Sequence, residues 1–219
     1  STPNNGGAWI TSTSGYTLGA SNVGSGTLSL ATTGTGGSVT QSGAVTTGTL
    51  TASLAGAGSK LDLGTQVNAI STLAGVTAGG GFSLNNGNTG ATVSANIDTS
   101  AGNGAVSINT GTGTYTQNAN IDVISGSNAF TTSGELTLKT ATVDRGISLN
   151  GTQDIAGQLT LQLSEHSAFR TGATGSVTIG SDESTGTMNF IASVDNYFGS
   201  SSAMDTLNLK AGAFAGSPY

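Results

Sequence analysis

Apolar residues occur along this chain in very short alternating bursts. Leu28/Leu30, Leu61/Leu63, Phe82/Leu84, Val106/Ile108, Leu136/Leu138, Ile147/Leu149, Val177/Ile179 and Leu207/Leu209 each straddle one polar residue, and Leu159/Leu161/Leu163 lengthen the pattern by a step. A period of two puts the apolar side chains on one face of a strand and the intervening Ser, Thr, Asp or Asn on the other. Between bursts lie strings such as Gly34-Thr35-Gly36-Gly37, Gly79-Gly80-Gly81 and Asn86-Gly87-Asn88, which supply the positive φ angles of tight turns. No segment carries a helical period.

The bursts recur, and many begin on glycine: Gly26-Thr27-Leu28-Ser29-Leu30, Gly134-Glu135-Leu136-Thr137-Leu138 and Gly157-Gln158-Leu159-Thr160-Leu161. A short strand plus a turn, repeated, is the signature of a solenoid. The expected fold is all-β, a parallel β-helix; a β-sandwich is the alternative, disfavoured by the short strands and few aromatics. At about 20 residues per coil the chain would make about ten coils, a rod of about 50 Å at the ~4.8 Å strand spacing. Residues 25–183 carry the repeat pattern. Residues 1–24 read as an irregular N-terminal cap, in which Trp9 and Ile10 would cover the first coil. Residues 184–219 read as C-terminal coils, a cap or an assembly segment that includes Phe198 and Phe214. These four residues are the candidate assembly ends.

Composition narrows the function classes. Gly, Thr, Ser and Asn make up 118 of the 219 residues, and cysteine is absent. That excludes a disulfide scaffold and a thiolate metal site. A net charge of −6 opposes nucleic-acid binding, and no apolar run reaches the ~18 residues of a membrane helix. Charge is unevenly placed: residues 1–59 have none, and 12 of the 16 charged residues fall in 135–219.

Two strings, Ser38-Val39-Thr40-Gln41-Ser42-Gly43-Ala44-Val45-Thr46-Thr47-Gly48-Thr49-Leu50-Thr51 and Asn68-Ala69-Ile70-Ser71-Thr72-Leu73-Ala74-Gly75-Val76-Thr77-Ala78-Gly79-Gly80-Gly81-Phe82-Ser83-Leu84, resemble repeats of filamentous-haemagglutinin-like exoproteins and related autotransporter passengers. The resemblance spans about residues 25–180. It implies a right-handed β-helix, secretion through the outer membrane, and work as an adhesin, fibre or biofilm-matrix component. No secretion-recognition domain, C-terminal barrel, Arg-Gly-Asp motif or signal peptide is recognisable, which fits a mature or excised chain.

Catalytic chemistry finds little support. Polysaccharide-cleaving β-helices need clustered carboxylates, whereas the acids here are scattered. Asp62 and Asp122 sit between inward apolar residues and are expected on the outer, solvated face. Asp182-Glu183 is expected in a turn. Glu165-His166, with Ser164 and Arg170, reads as a projecting loop rather than a triad. Gly56-Ala57-Gly58-Ser59-Lys60 fails the phosphate-loop pattern. Tyr16, Tyr115 and Tyr197 are weak candidates for a sugar-stacking groove; Phe82, Phe130, Phe169 and Phe190 are expected in the core. Thr11-Ser12-Thr13, Thr33-Gly34-Thr35 and Thr112-Gly113-Thr114 carry the Thr-x-Thr motif of ice-binding faces, but at irregular spacing and mostly beside turn glycines. Asn150-Gly151-Thr152 matches the glycosylation sequon. The reading is therefore a secreted, non-enzymatic β-helical rod without cofactor or metal. It would self-associate into fibres and touch host or neighbouring surfaces or glycans. A carbohydrate-binding or carbohydrate-cleaving β-helix is the alternative, and ice binding a third reading.

Overall fold

The computed structural model describes residues 6–110, 115–117, 121–122, 135–140, 143–151, 158–162, 169–170, 176–190 and 206–216. Among them there is no helix, and every strand pair is parallel. The strands stack as successive coils of a β-solenoid. A sandwich of antiparallel sheets is thereby excluded.

The first stack runs β1 (Ala8–Ser12), β4 (Thr27–Thr32), β6 (Val45–Leu54), β8 (Ala69–Ala78), β10 (Ala91–Asp98), β13 (Ile121–Asp122) and β17 (Phe169–Arg170); β3 (Ser21–Asn22) joins β6, and β12 (Tyr115–Gln117) joins β10. The second stack runs β2 (Tyr16–Leu18), β5 (Val39–Gln41), β7 (Lys60–Leu63), β9 (Gly81–Asn85), β11 (Val106–Asn109), β14 (Glu135–Lys139), β18 (Ser176–Gly180) and β20 (Thr206–Lys210). A third appears in the C-terminal half: β16 (Leu159–Gln162), β15 (Ile147–Gly151), β19 (Thr187–Phe190) and β21 (Ala213–Gly216). Strand β16 lies against β12, which connects the third stack to the first.

Register explains why the bursts fold this way. On the second stack Leu61, Phe82, Val106, Leu136, Val177 and Leu207 occupy one column, and Leu63, Leu84, Ile108, Leu138, Ile179 and Leu209 the next. Leu28–Leu50–Leu73–Val93 form a matching column on the first. The side chains of Leu61, Leu63, Phe82, Val106, Leu50 and Leu73 are fully buried, each contributing about 1.5–3 kcal/mol relative to exposure. From β7 onward the described strands of the second stack repeat an apolar pair at these two register positions, and the core is a thin column running along the stack.

The coil count differs from expectation: among the described residues the longest unbranched run of stacked strands has eight members, not ten. Early coils do take 20–24 residues, as in Leu28↔Leu50, Leu50↔Leu73 and Phe82↔Val106. Later ones are longer: Val106↔Leu136 spans 30 positions, with β12 and β13 between, and Leu136↔Val177 spans 41, with β15 and β16 inserted between β14 and β18. Residues 1–24 include β1, β2 and β3, paired into the same stacks as later coils. Residues 184–219 include β19, β20 and β21, which continue the second and third stacks.

A buried polar ladder closes one corner. Gln41, Asn68 and Asn86 are all buried. Asn68 Oδ1 accepts from Gln41 Nε2 and from the Val45 N–H, each at 2.8 Å, and Asn68 Nδ2 donates to the Leu63 carbonyl at 2.8 Å. One coil on, Asn86 Oδ1 accepts from the Ile70 N–H at 2.8 Å while Nδ2 donates to the Ile70 carbonyl at 2.7 Å. These carboxamides satisfy backbone groups that the turn takes out of the strand ladder.

Candidate functional site

Outward positions line up between coils as the inward ones do. On the second stack Thr17 faces Thr40, their hydroxyls 2.9 Å apart. Further along, Asp62, Ser83, Ser107, Thr137, Thr178 and Asn208 continue a column of small polar side chains. Asp62 lies on this outer face as expected from its place between Leu61 and Leu63. Burial pushes its carboxyl up, but the hydrogen bonds from Ser83 Oγ at 2.6 Å and the Gly64 N–H at 3.1 Å, with the Lys60 ammonium 3.5 Å away, outweigh that and hold it below its ordinary value of 3.8. A depressed carboxyl contributes stability above its unfolded pKa and loses it as pH falls through the folded one. Asp62→Asn should therefore show a smaller drop in urea midpoint than the parent chain between about pH 5 and pH 2; an unchanged drop would remove Asp62 as a contributor.

Among the described residues the other acids do not converge on it. Asp98 Oδ1 is engaged by the Ser100 N–H at 2.8 Å and hydroxyl at 2.5 Å. Asp182 and Glu183 lie in the expected turn, and Asp182 pairs with Lys210 at 2.9 Å. Among the described residues no group of three or more His, Cys, Asp or Glu is placed to hold a metal, and no helix is long and apolar enough to cross a membrane. Asp122 lies in β13, where its register is set against Asp98 and Arg170. Ser164, Glu165 and His166 lie outside the described residues. Gly56–Lys60 is a turn entering β7, with Gly56 at φ +94° and the Ser59 hydroxyl donating back to the Ala55 carbonyl. Asn150 and Gly151 fall in β15, and Thr152 lies outside the described residues.

A shallow polar depression of about 160 Å³ opens on the second stack between Ser83, Asn85, Ser107, Asn109 and Lys139. None of the residues lining it is aromatic. Tyr16 is not available to a sugar on the outer face: it packs against the core, and its hydroxyl donates to the Ile10 carbonyl at 3.4 Å. Burial raises its pKa, offset in part by hydrogen bonding to the Ala31 backbone. Tyr115 falls in β12, and Tyr197 lies outside the described residues. Phe82 is in the core as expected. Phe130 lies outside the described residues, and Phe169 falls in β17. No known protein family, curated protein or solved structure matches this chain.

Geometry alone, then, locates the remaining features. The first stack carries a threonine column: Thr27, Thr49, Thr72 and Thr92 face one another on successive strands, with Thr116 next in register. Beside it Ser29 and Thr51 share a hydroxyl contact of 2.8 Å. The two described Thr-x-Thr strings singled out in the sequence do not build this face. Thr33-Gly34-Thr35 is in a turn, Thr13 follows the end of β1, and Thr112–Thr114 lie outside the described residues. Thr27 and Thr49 look unremarkable in sequence because their partners are a full coil away.

The ends of the stack differ from its middle. In β1, Ala8 and Ile10 face inward and are only half-buried, while Trp9 projects outward, 74% exposed, against Gly7. Trp9 thus does not cover the first coil. A dimple of about 140 Å³ opens beside Ala8, Ile10, Ala20, Val23 and Leu28. At the other end Leu207 and Leu209 are inward but half-buried. Phe214, opposite the fully buried Met188, is 55% exposed and stacks on Phe190 with ring centroids 6.1 Å apart. Phe198 lies outside the described residues.

Proposed function

We propose that this chain is a secreted bacterial structural protein, a β-solenoid rod that builds surface fibres, adhesive structures or extracellular matrix by end-to-end association, and that it is not an enzyme. The observation that carries this reading is the state of the two terminal rungs. Their inward side chains and strand edges stand half-open among the described residues, and an open parallel edge is a template for a further strand. The resemblance of Ser38–Thr51 and Asn68–Leu84 to exoprotein repeats supports the same reading, as does the scatter of the acids. Electron microscopy of the purified chain at neutral pH, with light scattering, tests it. Regular filaments are expected; discrete rods of 21.2 kDa at every concentration would overturn it.

The threonine column favours a second reading, a face that orders water and binds ice. Hydroxyls would repeat every ~4.8 Å along the stack on a face whose strands β1, β4, β6 and β8 carry no charge. Under this reading Thr49→Lys and Thr72→Lys abolish thermal hysteresis in the parent chain; a parent with none ends the reading.

A further inference from the structure

We propose that copies of this chain join head to tail, the Phe214 ring of one copy entering the dimple beside Ala8, Ile10, Ala20, Val23 and Leu28 of the next. The proposal rests on the fibre reading and specifies its joint. Phe214 occupies an inward position: its register partner on the preceding rung, Met188, is fully buried. Phe214 is 55% exposed, and β21 is the outermost strand of the third stack among the described residues. The dimple is the corresponding gap at the first rung, where no described strand precedes β1 and β2. An enclosed apolar cavity of about 150 Å³ accepts benzene; this open depression of about 140 Å³, whose apolar floor is bordered by Ser21 and Asn22, matches a phenyl ring in size.

Position agrees with size. The third stack meets the first through β16 and β12, and β12 is in line with Thr72–Leu73, Thr49–Leu50 and Thr27–Leu28. Ala8, opposite Leu28, is the first-rung member of that same line and borders the dimple. On the second stack, β20, the last described strand, would pair in parallel with β2. Leu207 and Leu209 would then cover Tyr16 and Leu18, and Asn208 would prolong the Thr17–Thr40 column. The chain's own coil-to-coil interface is the pattern for this contact. Charge does not oppose it: the first 59 residues carry none, and Lys210 on the last rung is already paired with Asp182. Two different surfaces meeting without a closing rotation give an open filament.

The test uses full-length Phe214→Ser, which lacks the knob, and Ala8→Phe, which fills the socket. Circular dichroism checks that both remain β-structured. Each alone should assemble about ten- to a hundredfold more weakly than the parent chain. Mixed in equal amounts they should form discrete dimers, because the intact knob of Ala8→Phe meets the intact socket of Phe214→Ser. Parent filaments that both variants reproduce would overturn this joint and leave the fibre reading standing. Homodimers of Ala8→Phe would overturn it in favour of a tail-to-tail contact. A parent chain that stays monomeric would overturn joint and fibre reading together.

Discussion

Replacing Asn68 with alanine is expected to destabilise the solenoid by about 3–5 kcal/mol, as much as deleting a core leucine. The side chain is buried and has no apolar role. Its oxygen takes the Val45 N–H and the Gln41 amide, and its nitrogen lies within 3.0 Å of the Leu63, Gln66 and Asn85 carbonyls. Alanine leaves these groups in a space from which water is excluded, at about 1–3 kcal/mol for each one stranded. Asn68→Leu restores the volume but not the partners, so it should rescue little. In a chain of this length each kcal/mol lowers the melting temperature by about 2–4 °C, which predicts a fall of roughly 10 °C. Gln66→Ala, two residues away with an exposed side chain, should change stability by less than about 0.5 kcal/mol. Equal effects of Asn68→Ala and Gln66→Ala on thermal and urea unfolding would show that the ladder carries no net stability.

Asn68 also marks where the sequence stops being legible. Alternation in Leu28-Ser29-Leu30 or Val177-Thr178-Ile179 declares a strand and its buried face, because the period is local. Asn86-Gly87-Asn88 correctly announces a turn, and Gly87 does adopt φ +56°. That Asn86 points inward while Asn88 is exposed depends on the Ile70 backbone one coil below, which no local pattern reports. The threonine column was hidden for the same reason: Thr27, Thr49, Thr72 and Thr92 become a surface only once the register is known. Ten coils follow only if every coil takes about 20 residues; Ile147/Leu149 and Leu159/Leu161 look like any other burst, yet they build a third stack instead of new rungs on the second and lengthen the coil that contains them. Of the candidate end residues, Phe214 lies in β21 and is 55% exposed, whereas Trp9, the more conspicuous residue, faces outward, and its neighbours Ala8 and Ile10 face the core.

Gly104→Ala should be at least as damaging as the loss of Asn68, through a different mechanism. A Cβ at position 104 would stand 2.1 Å from the Gly81 nitrogen and 2.2 Å from the Gly80 carbonyl carbon of the coil beneath. Both are backbone atoms, so no side chain can swing away. The Gly104 N–H also donates to the Gly79 carbonyl at 3.0 Å, and making room would stretch that bond and open the coil spacing. Overpacking of this kind costs about 3 kcal/mol or more. The glycine string Gly79-Gly80-Gly81 is therefore more than a flexible turn: it is the lower half of a contact whose upper half is Gly102 and Gly104, and both halves must lack side chains for the coils to close. Gly19 supplies the control, since a Cβ there meets nothing within 4 Å. Gly19→Ala should be neutral or stabilise by up to about 1 kcal/mol through the unfolded chain. If the two substitutions shift the melting temperature alike, tight stacking at this corner is not what holds adjacent coils in register.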